Sequence, residues 1–180
     1  MVSTDHEGIA EVAREFGAEV PFMRPAELAG DTTTLDPVIY HAVETLERTD
    51  GVTVDVAVTV QPTCPLLSSD TIDRAVRELI EGDWDSVITV RDDRHLRWTI
   101  VDGQPKPLYH ARVNRQQLPP TYCETGALFA SRRRVITPTD RLGSRIGLVV
   151  TPEREGVDID TELDLRLAEI LIRNGQGSQA

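Results

Sequence analysis

Valines at 52, 54, 56, 58 and 60 constrain this chain more than any other stretch. β-Branched side chains in strict alternation specify a strand, because they are stiff at χ1 and successive residues face opposite sides. A helical pattern follows from about Ser69, with Ile72, Ala75, Val76, Leu79 and Ile80 on its buried face, and then a second strand over Ser86–Val90. A strand, a helix and a strand in that order predict a parallel crossover.

The rest of the chain repeats the alternation. Met1–Asp5 reads as the tail of a strand. It leads into a helix carrying Ile9, Ala10, Val12, Ala13 and Phe16, which Gly17 stops. Val20–Met23 is extended, and Arg24–Thr34 is a loop. Asp36-Pro37 opens a helix with Val38, Ile39, Ala42, Val43 and Leu46 on its inner face. Gly126–Ala130 and Ile146–Val150 are further strands. Near the end, Leu163, Leu165, Leu167, Ile170 and Leu171 mark a last apolar-periodic helix. The expected fold class is α/β, with a mostly parallel sheet covered on both faces.

The segment 91–122 breaks the pattern. It is rich in proline and arginine, and Asp102-Gly103 is a hairpin signal between short extended runs. It fits no βα unit and reads as an arm that pairs with another subunit. One domain over 1–174 is expected, with 175–180 as a disordered tail.

A net charge of −11 argues against a nucleic-acid surface, which wants a basic patch. No apolar run is long enough to span a membrane, and from the polar, acidic start no signal peptide is expected. Cys64 and Cys123 lie far apart and form no zinc pattern, so a cytoplasmic, thiol-reduced protein is expected. Lys106 is the sole lysine among nineteen basic residues. An acidic, lysine-poor surface suits a salt-rich cytoplasm, and a GC-rich genome would also favour arginine.

Chemistry concentrates in Val157-Asp158-Ile159-Asp160-Thr161-Glu162-Leu163-Asp164. In extended chain, residues two apart project to the same side, so Asp158 and Asp160 can aim at one hard cation such as Mg²⁺. The spacing also fits a helix start, with Asp160 or Thr161 as N-cap and Asp164 completing a capping box. Both readings stand on spacing alone. Gln61-Pro62-Thr63-Cys64-Pro65-Leu66 directly follows the valine strand, at the carboxyl end where open α/β sheets bind ligands. Arg24 and Asp31-Thr32-Thr33-Thr34 form a polar loop. Arg115-Gln116-Gln117-Leu118-Pro119-Pro120 joins a guanidinium to amides ahead of Tyr122-Cys123-Glu124-Thr125-Gly126-Ala127. Arg132–Arg134 reads as a solvated face, and the four histidines show no ligand spacing. The chain has neither a GxGxxG nor a Walker A sequence.

Taken in order, RPAELAGDTTTLD, VTVQPTCPL, RQQLPPTYCETGA and VDIDTELD resemble the acylneuraminate cytidylyltransferase family, the CMP-sialic acid synthetases. The opening VSTDHEGIAEVAREFGAEV is similar to that family's second strand and following helix. The resemblance implies a three-layer Rossmann-like nucleotidyltransferase fold and a homodimer formed through an extended arm. It implies coupling of CTP to a nine-carbon keto-acid sugar, with Mg²⁺ and release of pyrophosphate. By position, Asp158 and Asp160 would be the Mg²⁺ ligands, and Arg24, Thr33 and Thr34 would belong to the nucleotide pocket. Gln61, Arg115, Gln116, Thr125 and Phe129 would line the sugar site, with Arg115 forking the sugar carboxylate.

The chain departs from the family at three places. Thr125 replaces an asparagine, which removes an amide donor, and Cys64 replaces a serine. The family also begins with a strand, a glycine- and arginine-rich loop ending in lysine, and a helix that bind the triphosphate, and this chain is expected to start after them. Two readings follow. One is a cytidylyltransferase; the other is a non-catalytic binding or dimerising relative that has lost the triphosphate loop.

Overall fold

A computed structural model describes residues 1–49 and 51–176. In chain order the elements are α1 (Glu7–Glu15), α2 (Leu35–Thr49), β1 (Val56–Val60), α3 (Ser69–Glu81), β2 (Ser86–Asp92) and β3 (Trp98–Val101). They continue as β4 (Gln104–Pro107), β5 (Tyr122–Arg132), β6 (Ile146–Val150) and α4 (Glu162–Gln176). Contacts gather into two units: Met1–Ala57 with Ser131–Arg145, and Val58–Ala130 with the chain from Ile146.

β1, β5, β2 and β6 form a four-stranded sheet in that order. β2 and β6 are parallel, with Val87 opposite Gly147 and Thr89 opposite Val149. β5 runs the other way. Gln61 N–H donates to Ala127 O at 3.2 Å and Arg133 N–H donates to Asp55 O at 2.9 Å, so β1 ascends as β5 descends. Likewise Asp93 N–H reaches Thr121 O, while Thr89 sits beside Thr125. β1, β2 and β6 therefore share a direction, and the sheet is mixed around one antiparallel strand. β2 is buried over Ser86–Val90, as a central strand covered on both faces should be.

The valine strand is shorter than its pattern. Gly51 takes φ +64°, and the ladder begins only at Val56. Its partner explains the limit: beyond Arg132, β5 gives way to a 3-10 turn at Arg133–Val135. Val54 packs instead, with Ala57, Leu35 and Tyr40, against the Ile39–Val43–Ile136 cluster of the first unit. Met1–Asp5 forms no strand; it lies extended, with Val2 N–H on Glu19 O and Arg24 N–H on Thr4 O.

α3 starts where a cap exists. The Ser68 hydroxyl accepts from Thr71 N–H at 3.2 Å, satisfying one orphan donor of the first turn. Thr71, Ala75 and Leu79 recur at helical spacing as the buried face, which packs on β2 and β6. Ile80 lies off that stripe and is 58% exposed, contrary to the sequence expectation. Removing the fully buried Leu79 side chain would cost about 2–5 kcal/mol through lost burial and an unfilled cavity.

The 91–122 arm contains the hairpin that Asp102-Gly103 promised. β3 and β4 pair antiparallel across those two residues, whose φ values of 52° and 74° suit a type I′ turn. α4 continues through Gly175 and Gln176, and 177–180 of the expected tail lie outside the described residues.

Candidate active site

β1 ends at Val60, and the loop after it folds back on itself, with Cys64 N–H bonded to Gln61 O at 3.1 Å. Gln61 Nε2 donates to Gly126 O at 2.7 Å. Gly126 has φ +72°, a conformation that favours glycine, and a Cβ there would lie 3.5 Å from Gln61 Nε2 and 3.8 Å from Asp158 Oδ2. Gly126 is thus the floor between the loop amide and the first acidic residue of the VDID run. Ile159 N–H donates to Thr63 O at 2.9 Å, which fixes that run against the loop.

The helix cap falls to the far end of the VDID run. Thr161 and Asp164 cap α4 together: Asp164 Oδ2 accepts from Thr161 N–H at 2.8 Å and Oγ1 at 2.6 Å, while Asp164 N–H faces Thr161 Oγ1 at 3.3 Å. These bonds, the Thr161 hydroxyl first, hold the Asp164 carboxyl below the usual carboxylate range. The Asp160 backbone N–H joins them at the Asp164 carboxylate, but the side chains of Asp158 and Asp160 make none of these bonds. Both line one cleft of about 770 Å³.

That cleft is electronegative. Asp158, Asp160, Asp164, Glu124 and Glu153 line it against only two guanidinium groups, those of Arg91 and Arg154. A polyphosphate would be repelled from such a surface unless a cation intervened. Two adjacent, hard, solvent-reachable carboxylates are the donor set that Mg²⁺ takes from a protein, leaving its other positions to water and phosphate. The residues present fit that ion. Among the described residues no three His, Cys, Asp or Glu side chains cluster as a self-sufficient metal cage.

Cys64 is 2% exposed, and its Sγ lies 3.4 Å from Thr125 O and 3.6 Å from Asp158 Oδ1. Burial, and then the neighbouring Asp158 charge, push its thiol up to about 11. It stands beside Asp158 as a protonated donor. Thr125 is buried, with its hydroxyl 2.7 Å from that of Thr89 and 3.3 Å from Ala127 N–H, so it knits β5 to β2. Its methyl side faces the cleft, near Gly156.

The other expected site residues are more dispersed. Phe129 is 4% exposed in the middle of β5 and does not line the cleft. Arg115 and Gln116 occupy an exposed 3-10 turn. The Arg115 charge is felt at Asp92, whose carboxyl is held low chiefly by bonds from Arg94. In the first unit, Arg24 binds Ser3 through Nε at 3.2 Å and through its terminal nitrogen, while Thr33 N–H closes a turn onto Gly30 O. Sequence reasoning missed Arg91, Arg154, Glu124 and Glu155. Arg154 and Glu155 precede the run and read as ordinary surface charges, while Arg91 and Glu124 reach its cleft only through the fold.

A family model described as cytidylyltransferase matches residues 1–134. CMP-N,N'-diacetyllegionaminic acid synthase of Campylobacter jejuni is 32% identical over 178 residues, covering 96% of this chain and 76% of its own length. Post-translational flagellin modification protein B of Campylobacter coli is 29% identical over 179 residues, with the same coverage of 96% and 76%. Among solved structures, 4-diphosphocytidyl-2C-methyl-D-erythritol synthase from Anaerococcus prevotii aligns with a TM-score of 0.65 at 13% identity, over 94% of this chain and 77% of that one. At that identity the likeness establishes the fold, a Rossmann-like nucleotidyltransferase α/β arrangement.

Proposed function

We propose, because this chain belongs to the cytidylyltransferase family, that it couples CTP to a sialic-acid-like nonulosonic acid, giving a CMP-sugar and pyrophosphate. The observation that carries this reading is the division of labour in the VDID run. Thr161 and Asp164 cap the helix, which leaves Asp158 and Asp160 together in an electronegative cleft.

Asp158 and Asp160 would hold Mg²⁺, which when bound offsets phosphate charge and polarises the attacking anomeric hydroxyl. Asp158 is steadied for that role by Cys64, and the run is pinned by the Ile159–Thr63 bond. Gln61 spends its amide N–H on Gly126 O, so its Oε1 is left to accept from a sugar hydroxyl. Arg115, exposed on its 3-10 turn, is suited to fork the sugar carboxylate beside Gln116. Thr125 and Phe129 would shape the sugar side from within β5. Arg24, Thr33 and Thr34 would contact the nucleotide.

The arm supports a homodimer. Trp98, Ile100 and Leu108 on or beside its hairpin are each more than half exposed, as surface awaiting a second copy would be. Two free cysteines and a CTP-consuming reaction fit the cytoplasm. Among the described residues no helix is long and apolar enough to cross a membrane.

The direct test is pyrophosphate release from CTP with Mg²⁺ and, in turn, legionaminic, pseudaminic and N-acetylneuraminic acids. Turnover with one of them, lost on chelation of the metal, is the expected result. No turnover with any of them would favour the non-catalytic relative.

A further inference from the structure

Glu155 is a charged residue in the wrong place for a surface role. It is 6% exposed, three residues before Asp158, in the 3-10 turn Glu153–Gly156. A buried carboxylate is costly unless bonded, and among the described residues this one is bonded to Ser68. Glu155 Oε1 accepts from the Ser68 hydroxyl at 2.9 Å, and Oε2 faces Ser68 N–H at 3.4 Å. The same hydroxyl accepts from Thr71 N–H as the N-cap of α3. One oxygen therefore both caps the helix and donates to the carboxylate, whose charge lies at the positive end of α3.

We infer that Glu155 is a positioning residue for the Asp158–Asp160 pair. The inference rests on the reading of that pair as metal ligands. The chain from 61 to 68 carries Gln61, Thr63 and Cys64 and ends at Ser68. The chain from 155 to 164 carries the two aspartates. Three ties join these segments: Glu155 to Ser68, Ile159 N–H to Thr63 O, and Cys64 to Asp158. The first holds the most deeply buried carboxylate of the two segments, and it lies at the entry to the run, opposite the Thr161–Asp164 cap at its exit. With both ends fixed, the two carboxylates keep one separation and direction. Releasing the entry leaves the pair to find its geometry against the entropy of a loose loop.

A merely structural tie would lower stability without changing metal affinity, so the test separates the two. Mn²⁺ binding to the full chain is titrated by loss of the free-ion EPR signal, with thermal unfolding measured alongside. Ser68→Asp retains an excellent N-cap for α3 but removes the donor and sets a like charge against Glu155. Mn²⁺ affinity is expected to fall roughly tenfold or more, as when supporting bonds around a metal site are cut. The fall would come even though the variant adds negative charge near the cleft.

Glu155→Gln alone is expected to weaken binding too. The double variant Ser68→Asp/Glu155→Gln, in which the introduced amide donates to the introduced carboxylate, is expected to restore most of the affinity at unchanged net charge. Wild-type affinity in Ser68→Asp, or no recovery in the double variant, overturns the inference while leaving the metal pair intact. Wild-type binding no tighter than that of Asp158→Asn overturns the metal reading itself, and the positioning role with it.

Discussion

Sγ of Cys64 lies 3.6 Å from Oδ1 of Asp158, so a buried thiol sits directly on a proposed metal ligand. Burial and that carboxylate raise the thiol to about 11, above the ~8.5 of an exposed cysteine. A group whose folded value is raised contributes stability that is complete below its unfolded value and is lost as pH rises through the folded one. The metal-free protein should therefore lose stability between roughly pH 8.5 and 11, and Cys64→Ser should flatten that loss. Urea denaturation at pH 7.5 and pH 10.5 measures it; equal alkaline losses in both proteins would refute the assignment. At pH 8 a thiol reagent should label the half-buried Cys123 and spare Cys64.

Cap and ligand within the VDID run should separate on mutation. Thr161→Ala removes both hydroxyl bonds with Asp164, leaving only the one from its backbone N–H, and should cost about 1 kcal/mol of stability. Mn²⁺ binding should persist in that variant. Asp160→Asn changes only an exposed side chain and leaves the backbone bond to Asp164, so stability should stay within about 0.5 kcal/mol of wild type. Cation binding should fail, and turnover should drop on the order of a hundredfold or more. Calorimetric melts beside Mn²⁺ titrations decide the matter. The opposite pattern, with Asp160 mattering for melting and Thr161 for metal, would reverse the roles.

The acidic pair was legible in the sequence because i and i+2 alternation is local geometry, and so was the hairpin at Asp102-Gly103. The extent of β1 was not legible. The valine pattern runs from 52, but pairing needs a partner, and β5 turns away after Arg132. The antiparallel run of β5 was hidden for the same kind of reason: strand direction is settled by bonds such as Gln61 to Ala127, far apart in sequence. Glu155 gave no signal, because a carboxylate among Glu153, Arg154 and Gly156 looks solvated until Ser68 is brought against it.

Gly126 should tolerate no side chain without loss. At φ +72°, alanine meets left-handed strain of about 1–2 kcal/mol. The space itself is adequate, since the nearest atoms to a new Cβ are Gln61 Nε2 at 3.5 Å and Asp158 Oδ2 at 3.8 Å. Gly126→Ala should therefore fold with reduced stability, and it should weaken sugar binding more than CTP binding, because the methyl intrudes beside Gln61. Urea melts and separate KM values for the two substrates test this. A larger rise in KM for CTP would place Gly126 in the nucleotide pocket instead.

Trp84 and Gly147 make the sharpest packing prediction. A Cβ on Gly147 would lie 2.8 Å from both Cδ1 and Nε1 of the indole, and Nε1 donates to Glu78 Oε1 at 2.9 Å. Gly147 is paired with Val87 in the parallel β2–β6 ladder, so its backbone cannot retreat without breaking register. Gly147→Ala must displace the ring and should cost about 1–3 kcal/mol as an overpacked contact. Trp84→Leu removes the obstruction, so the second change should cost much less in the Gly147→Ala background than in wild type. The expected coupling is about 0.5–3 kcal/mol, measured by a double-mutant cycle in urea. Additive losses would mean that the ring does not rest on Gly147.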